Sequence, residues 1–93
     1  MAVYTKDPSA VIDYQQDWSD WLAAGETITT SSWAVTPTTL SPLAVDSDTE
    51  TTTAATVWLS GGLAGQVYRV TNTIVTSAAR TEQRSIVIRV EQL

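Results

Sequence analysis

Alternating carboxylates at residues 46–50 have the spacing that comes closest to metal-binding chemistry in this chain. The segment reads Asp-Ser-Asp-Thr-Glu, and oxygen ligands at every second position are typical of calcium-binding loops. It lacks the central glycine and the distal bidentate glutamate that complete a helix–loop–helix calcium site. We therefore interpret residues 46–50 as a solvated loop and predict no metal site.

A second group of acids, Asp13, Asp17 and Asp20, suggests the carboxylate pair that hydrolyses glycosides. Asp13 and Asp17 share one face of a predicted strand, but four residues of strand place them about 13 Å apart. That distance is too long for a catalytic pair. We interpret these three acids as solvated side chains that protect a strand edge.

Histidine and cysteine are both missing from the 93 residues. Their absence removes the commonest general base, the cysteine nucleophile, and the imidazole and thiolate ligands of metals. Serines are common, but none lies in a nucleophile elbow and no histidine is present to activate one. We predict that the protein is not an enzyme and has no catalytic, cofactor-binding or metal-binding residues.

The net charge of −5 argues against two classes of partner. Nucleic acid binding needs clustered lysine and arginine, and an anionic membrane surface would repel an acidic protein. No apolar run approaches the roughly 20 residues of a membrane-spanning helix, and residues 1–8 lack the basic and apolar regions of a signal peptide. We predict neither a nucleic acid nor a membrane as partner.

The elements that position these side chains are predicted to be β-strands. Threonine, valine, isoleucine, tryptophan and tyrosine are abundant and alternate with polar residues, which favours pleated, half-buried segments. The predicted strands cover residues 11–18, 27–35, 43–45, 54–60, 66–76 and 84–91. The layout between residues 38 and 53 stays open. Short, regular spacing of turn signals is typical of a sandwich.

Tyr68 and Trp33 indicate which kind of sandwich. Tyr68 follows Gly65 by three residues and opens a strand, as in the tyrosine corner, where the hydroxyl bonds back to nearby backbone. Trp33, with Pro37 soon after it, resembles the buried tryptophan of fibronectin type III domains. We predict an all-β, immunoglobulin-like or fibronectin type III-like antiparallel β-sandwich of six or seven strands. It forms one domain, residues 8–93, after a loose N-terminal arm, residues 1–7.

Three tryptophans outside that motif, Trp18, Trp21 and Trp58, are open to three interpretations: core packing, protein–protein interface and sugar-stacking platform. Trp58 faces outward if its neighbours in the strand face the core, and an outward tryptophan suits a binding hot spot. We take all three as candidate interface residues, together with Arg69 and Arg89.

Charge is unevenly distributed along the chain. Residues 1–50 hold eight acids and one lysine, a net charge of −7, whereas residues 51–93 hold two acids and four arginines, a net charge of +2. Scattered solvated faces explain this distribution simply. Complementary surfaces that favour stacking on neighbouring subunits are the sharper interpretation.

A family resemblance covers nearly the whole chain. The segments that carry it are residues 6–8, 17–22, 28–33, 56–62, 65–72, Arg80 and 84–90. Together they resemble small proteins of tailed bacteriophages and prophages described as fibre–tail adaptor or head–tail neck proteins. Ala78-Ala79 departs from the family pattern, because a glycine often precedes the arginine there.

The resemblance implies a non-catalytic structural protein of the virion, made in the host bacterial cytoplasm. Its partners would be other virion proteins, with a homo-oligomer in the assembled particle as a further expectation. Its surfaces would be an exposed edge strand, the corner at residues 17–22 and Trp58. A carbohydrate-binding module, or a stray immunoglobulin-like domain of an adhesin, is the alternative.

Overall fold

Seven β-strands form this protein in a computed structural model that describes residues 2–36 and 43–92. They are β1 (Ala2–Lys6), β2 (Ile12–Asp17), β3 (Ile28–Thr36), β4 (Leu43–Glu50), β5 (Ala54–Gly61), β6 (Val67–Thr76) and β7 (Thr81–Val90). The described residues contain no helix. Alternating apolar residues explain the strands, since every second side chain of β6 from Tyr68 onward is buried.

The strands form two sheets. One has four strands in the order β1-β7-β6-β3, and the other has three in the order β2-β5-β4. Every pairing is antiparallel except that of β1 with β7, which is parallel. Seven strands arranged in two sheets confirm the predicted β-sandwich. Its assignment to the immunoglobulin or fibronectin type stays a prediction.

The main core lies between the inner faces of the two sheets. Val57 and Leu59 of β5 pack there with Val70 of β6 and with Ile88 and Val90 of β7. All five are fully buried, and they occupy alternate positions along their strands, as sheet packing requires. Trp33 packs against this cluster but is only partly buried, so the prediction of a buried core tryptophan is too strong.

Tyr68, the second residue of β6, bonds back to the segment that connects β5 to β6. Its hydroxyl accepts a hydrogen bond of 2.9 Å from the backbone N–H of Leu63, which is the geometry of a tyrosine corner. Gly62 permits this turn, because its φ is +92° and a Cβ there would lie 2.8 Å from Val90 Cγ2. The corner therefore depends on a glycine as well as on the tyrosine.

The N-terminal segment is not a loose arm. Residues 2–6 pair with β7 as an edge strand, and the Lys6 side chain is fully buried. Its Nζ donates to the carbonyl oxygens of Asp7, at 2.9 Å, and Gly61, at 2.8 Å. Burial lowers the pKa of the Lys6 ammonium, which the Asp7 and Asp46 carboxylates oppose. The prediction of a loose arm is wrong because β7 and Gly61, to which this segment bonds, lie far away in sequence.

Residues 46–50 form the second half of β4 rather than a solvated loop. They pair with β5, and a register shift between Val45 and Ser47 marks a β-bulge. Asp48 and Glu50 pair with the buried residues Val57 and Ala55 but remain exposed at the sheet edge. Charge and a bulge on an edge strand discourage pairing with other chains. Residues 38–42 of the segment whose layout was left open lie outside the described residues.

Candidate functional site

The outer face of the three-stranded sheet presents Trp58 at its centre. Trp58 lies on the middle strand β5 and is 41% exposed. In register it sits between Asp13 of β2 and Ser47 of β4. Two residues further along β5, the Ser60 hydroxyl donates to Asp46 Oδ1 at 2.7 Å. We call this surface the acidic face: Asp13, Asp46, Ser47, Trp58 and Ser60.

The strands behind the acidic face carry charge of one sign. β2, β4 and β5 contain five acids and no lysine or arginine; the acids are Asp13, Asp17, Asp46, Asp48 and Glu50. All five are exposed. Asp13 lies beside Trp58 and Asp46 lies on the same face. An exposed tryptophan next to carboxylates combines a large apolar contact with a negative potential, which suits a protein partner that is both apolar and basic.

The outer face of the four-stranded sheet presents Arg69 and Arg89 among valines. Val67 pairs with Arg89 and Arg69 with Val87 across the two middle strands, β6 and β7. Val3 of the edge strand β1 continues the row beside Val87 and is 64% exposed. We call this surface the valine–arginine face: Val3, Val67, Arg69, Val87 and Arg89.

Arg69 and Arg89 leave most of their charge available to a partner. Arg89 Nε lies 3.7 Å from Glu91 Oε1, and an exposed pair at this distance contributes little energy. Within residues 2–36 and 43–92, Arg69 has no salt bridge. The structure places Trp58 and Arg69 on opposite outer faces of the sandwich, so the candidate interface residues form two surfaces instead of one.

Trp18 is wrong as a candidate interface residue, because it is completely buried. Its indole Nε1 donates to Asn72 Oδ1 on β6 at 2.9 Å, and the Arg84 guanidinium lies 4.5 Å from the centre of its ring. Trp18 follows β2 directly, so this hydrogen bond ties the two sheets together. In the sequence, a polar asparagine at an inward position of β6 is the signal that Asn72 has a buried hydrogen-bond partner.

Trp21 is half-buried and acts with a second group of residues at the same end of the sandwich. Its ring packs edge-on against Trp18, with centroids 5.4 Å apart. The Arg80 guanidinium lies over the Trp21 ring at 4.0 Å from its centre, a distance typical of cation–π contact. The three candidate tryptophans therefore do not form one sugar-stacking platform, and Trp58 stands apart from the other two.

Glu26 anchors Arg80 at this end. Both Arg80 Nε, at 2.8 Å, and Arg80 Nη2 donate to its carboxylate, and the Thr76 hydroxyl and the Ala23 backbone N–H donate as well. These bonds, that of Arg80 first, lower the pKa of Glu26 to about 2, against the opposing effect of burial. No local sequence pattern indicates this pair, because 54 residues separate its members.

The hairpin before Arg80 shows the consequence of the missing glycine. Ala79 adopts a φ of +59°, which is left-handed and costs energy for any residue with a Cβ. Its backbone N–H bonds to the Thr76 carbonyl at 2.9 Å, so the turn closes despite that cost. The departure from the family pattern at Ala78-Ala79 therefore changes the strain of the turn while the turn itself still forms.

Residues 2–36 and 43–92 offer neither a metal site nor a membrane-spanning helix. No cluster of three or more histidine, cysteine, aspartate or glutamate side chains could hold a metal ion there. In that same part of the chain, no helix is long and apolar enough to cross a membrane. The geometry that stands out is the pair of opposite outer faces.

A known protein family matches most of the chain. Residues 6–89 match the model of a family described as "Podophage GP4 fiber-tail adaptor protein gp77". No curated protein matches the chain at a significant level. The family match spans all seven strands except the first residues of β1 and the last residue of β7, and it confirms the resemblance to small structural adaptor proteins of phages.

Proposed function

This chain belongs to the podophage GP4 fiber-tail adaptor protein gp77 family, and we propose that it joins fibres to the tail of a virion without catalysis. The family match over residues 6–89 is the observation that carries this proposal. A phage structural adaptor is a component of the particle, so its partners are other virion proteins. We further propose that the protein is made in the cytoplasm of the host bacterium.

The shape of the molecule supports a bridging role. Its principal extents are 43 × 22 × 22 Å, so the sandwich is about twice as long as it is wide. A rigid body of this kind keeps two binding partners apart at a fixed distance. Turns, hairpins and strand ends supply variable contacts while the two sheets supply the rigid scaffold.

The two ends differ in a way that suits two different partners. One end holds the ion pair of Glu26 and Arg80 beside Trp21. The opposite end exposes apolar side chains before β2 and after β5, Val11 at 56% and Leu63 at 40%. A polar, hydrogen-bonding end and an apolar end recognise different chemistry. Family membership favours this function over a carbohydrate-binding module.

Removal of the gene from its phage tests the proposal. We expect particles with complete tails that lack fibres, and restoration of the fibres when the wild-type gene is supplied on a plasmid. Negative-stain electron microscopy counts the fibres, and mass spectrometry of purified particles detects the protein. Normal fibres on particles that lack the protein would overturn the proposal.

A further inference from the structure

We infer that copies of this protein associate head to tail, with the acidic face of one copy docked on the valine–arginine face of the next. The two surfaces lie on opposite sides of one sandwich, so each copy can bind two neighbours at once. The inference rests on the proposed function only for its setting, the virion in which the copies would assemble.

Charge complementarity identifies the occupant as a second copy. The acidic face presents Asp13 and Asp46, and its strands contain no lysine or arginine. The valine–arginine face presents Arg69 and Arg89. Surfaces of opposite potential steer association and fix orientation. Docking of two identical faces would instead place like charges together.

Apolar side chains lie on the middle strands of both faces. Trp58 lies on the middle strand of its sheet, and Val67, 49% exposed, lies with Val87 on the two middle strands of the other. Binding energy in interfaces concentrates on central aromatic and arginine residues surrounded by polar groups. The acidic face supplies the tryptophan and the valine–arginine face supplies the arginines and a flat apolar surface.

Face-to-face docking also agrees with the protection of one sheet edge. The bulge and the acids of β4 discourage pairing with another strand at that edge of the three-stranded sheet. The outer face of that sheet remains as a broad surface through which copies can meet. Head-to-tail contacts are heterologous, so they close into a ring or extend into a filament according to the rotation between copies.

Analytical ultracentrifugation over a range of protein concentrations provides the first test. We expect oligomers that grow with concentration and dissociate as ionic strength rises from 0.1 M to 1 M, where the Debye length falls from about 10 Å to about 3 Å. Trp58→Ala should weaken association at least about tenfold, as expected for a central aromatic residue. A monomer at every concentration and ionic strength would overturn the inference.

Two charge reversals then test the head-to-tail arrangement. Asp13→Lys disables the acidic face and Arg69→Glu disables the valine–arginine face, so each variant alone should be monomeric. Each variant keeps one intact face, and those faces are complementary, so an equimolar mixture should form 1:1 dimers and nothing larger. Dimers formed by either variant alone would contradict the arrangement. Asp20→Lys, the same charge change in an exposed turn outside both faces, is the control and should associate like the wild type.

The two proposals fail separately. If the isolated chain stays monomeric but particles without it lose their fibres, only the head-to-tail inference is wrong. If the mixed variants form dimers but particles without the protein keep their fibres, the adaptor function is wrong and the self-association stands. Near-ultraviolet circular dichroism of each variant verifies that the sandwich is intact.

Discussion

The two sheets share one core but differ in what they present outward. The three-stranded sheet offers Trp58 among carboxylates, and its strands contain no lysine or arginine. The four-stranded sheet offers Arg69 and Arg89 among valines. Inward positions along both sheets follow the same alternation, because core packing sets them. Outward positions are free of that constraint, so the two outer faces can differ in charge and in apolar content.

The comparison also changes the meaning of the uneven charge along the chain. Division into halves assigns Lys6 to the acidic half, but the fold places it in the four-stranded sheet. Of the four cations on that sheet, Lys6 is buried and Arg84 covers the Trp18 ring. Arg69 and Arg89 are the two that point outward. Folding thus concentrates the available positive charge on one face.

The largest expected effect comes from breaking the connection between the sheets. Trp18→Ala removes a fully buried indole and its hydrogen bond to Asn72, and should lower the free energy of unfolding by about 3–5 kcal/mol. Trp58→Ala is the matched control, because that side chain lies on an outer face, and should change it by less than about 0.5 kcal/mol. Urea unfolding followed by circular dichroism measures both. Equal losses would mean that the two tryptophans are not divided between core and surface.

Acid should weaken the end of the sandwich where Glu26 holds Arg80. The pKa of Glu26 is lowered from 4.5 to about 2 in the folded protein, so its ion pair stabilises the fold fully above pH 4.5. That stabilisation is lost as the pH falls from 4.5 towards 2, because the unfolded chain takes up the proton first. Glu26→Gln should remove this part of the pH dependence. Unfolding measured between pH 2 and 6 tests it, and an unchanged slope in the variant would contradict it.

The hydrogen bond of Tyr68 should contribute less to the free energy of unfolding than the Trp18 indole or the ion pair of Glu26 and Arg80. Tyr68→Phe removes the bond that Tyr68 accepts from the Leu63 N–H, and we expect a loss of about 1 kcal/mol. Tyr4→Phe is the control, since Tyr4 is 39% exposed and lies on the edge strand β1, outside the corner. Thermal and urea unfolding should separate the two variants. No difference between them would remove the corner from the account of stability.

The smallest expected effect has the opposite sign. Ala79→Gly removes the strain of a Cβ at a left-handed φ of +59° in the hairpin of the four-stranded sheet. The glycine loses more conformational entropy on folding, so we expect a net gain of only about 0.5–1 kcal/mol in the free energy of unfolding. Ala78→Gly is the control and should be neutral or destabilising. A loss on Ala79→Gly would mean that the turn does not carry strain.

Sequence alone predicts the central strands well and the edges poorly. In β5 and β6 the residues at every second position are buried, such as Val57 and Leu59 or Tyr68 and Val70, so a period of two can be recognised from the sequence. β1 is only five residues long and pairs with a strand about eighty residues away, which no local pattern records. Alternating carboxylates at residues 46–50 suggest a loop when read locally, whereas an edge strand uses such acids for protection.

The candidate surfaces follow the same division. The outward position of Trp58 follows from the inward positions of Val57 and Leu59, so it could be predicted from local sequence. The burial of Trp18 depends on residues that are distant in sequence, among them Ile74 and the hydrogen-bond partner Asn72, 54 residues further along. That Arg69 and Trp58 occupy different faces depends on the order of strands in the sheets, which alternation along one strand cannot reveal.

A cryo-electron microscopy map of the phage particle that contains this protein tests the adaptor function most directly. The account predicts seven-stranded sandwiches at the joint between tail and fibres, in contact with both. It also predicts that Trp58 of each copy is covered by the valine–arginine face of its neighbour. Sandwiches found in the capsid or elsewhere, with no copy at the base of a fibre, would contradict the account.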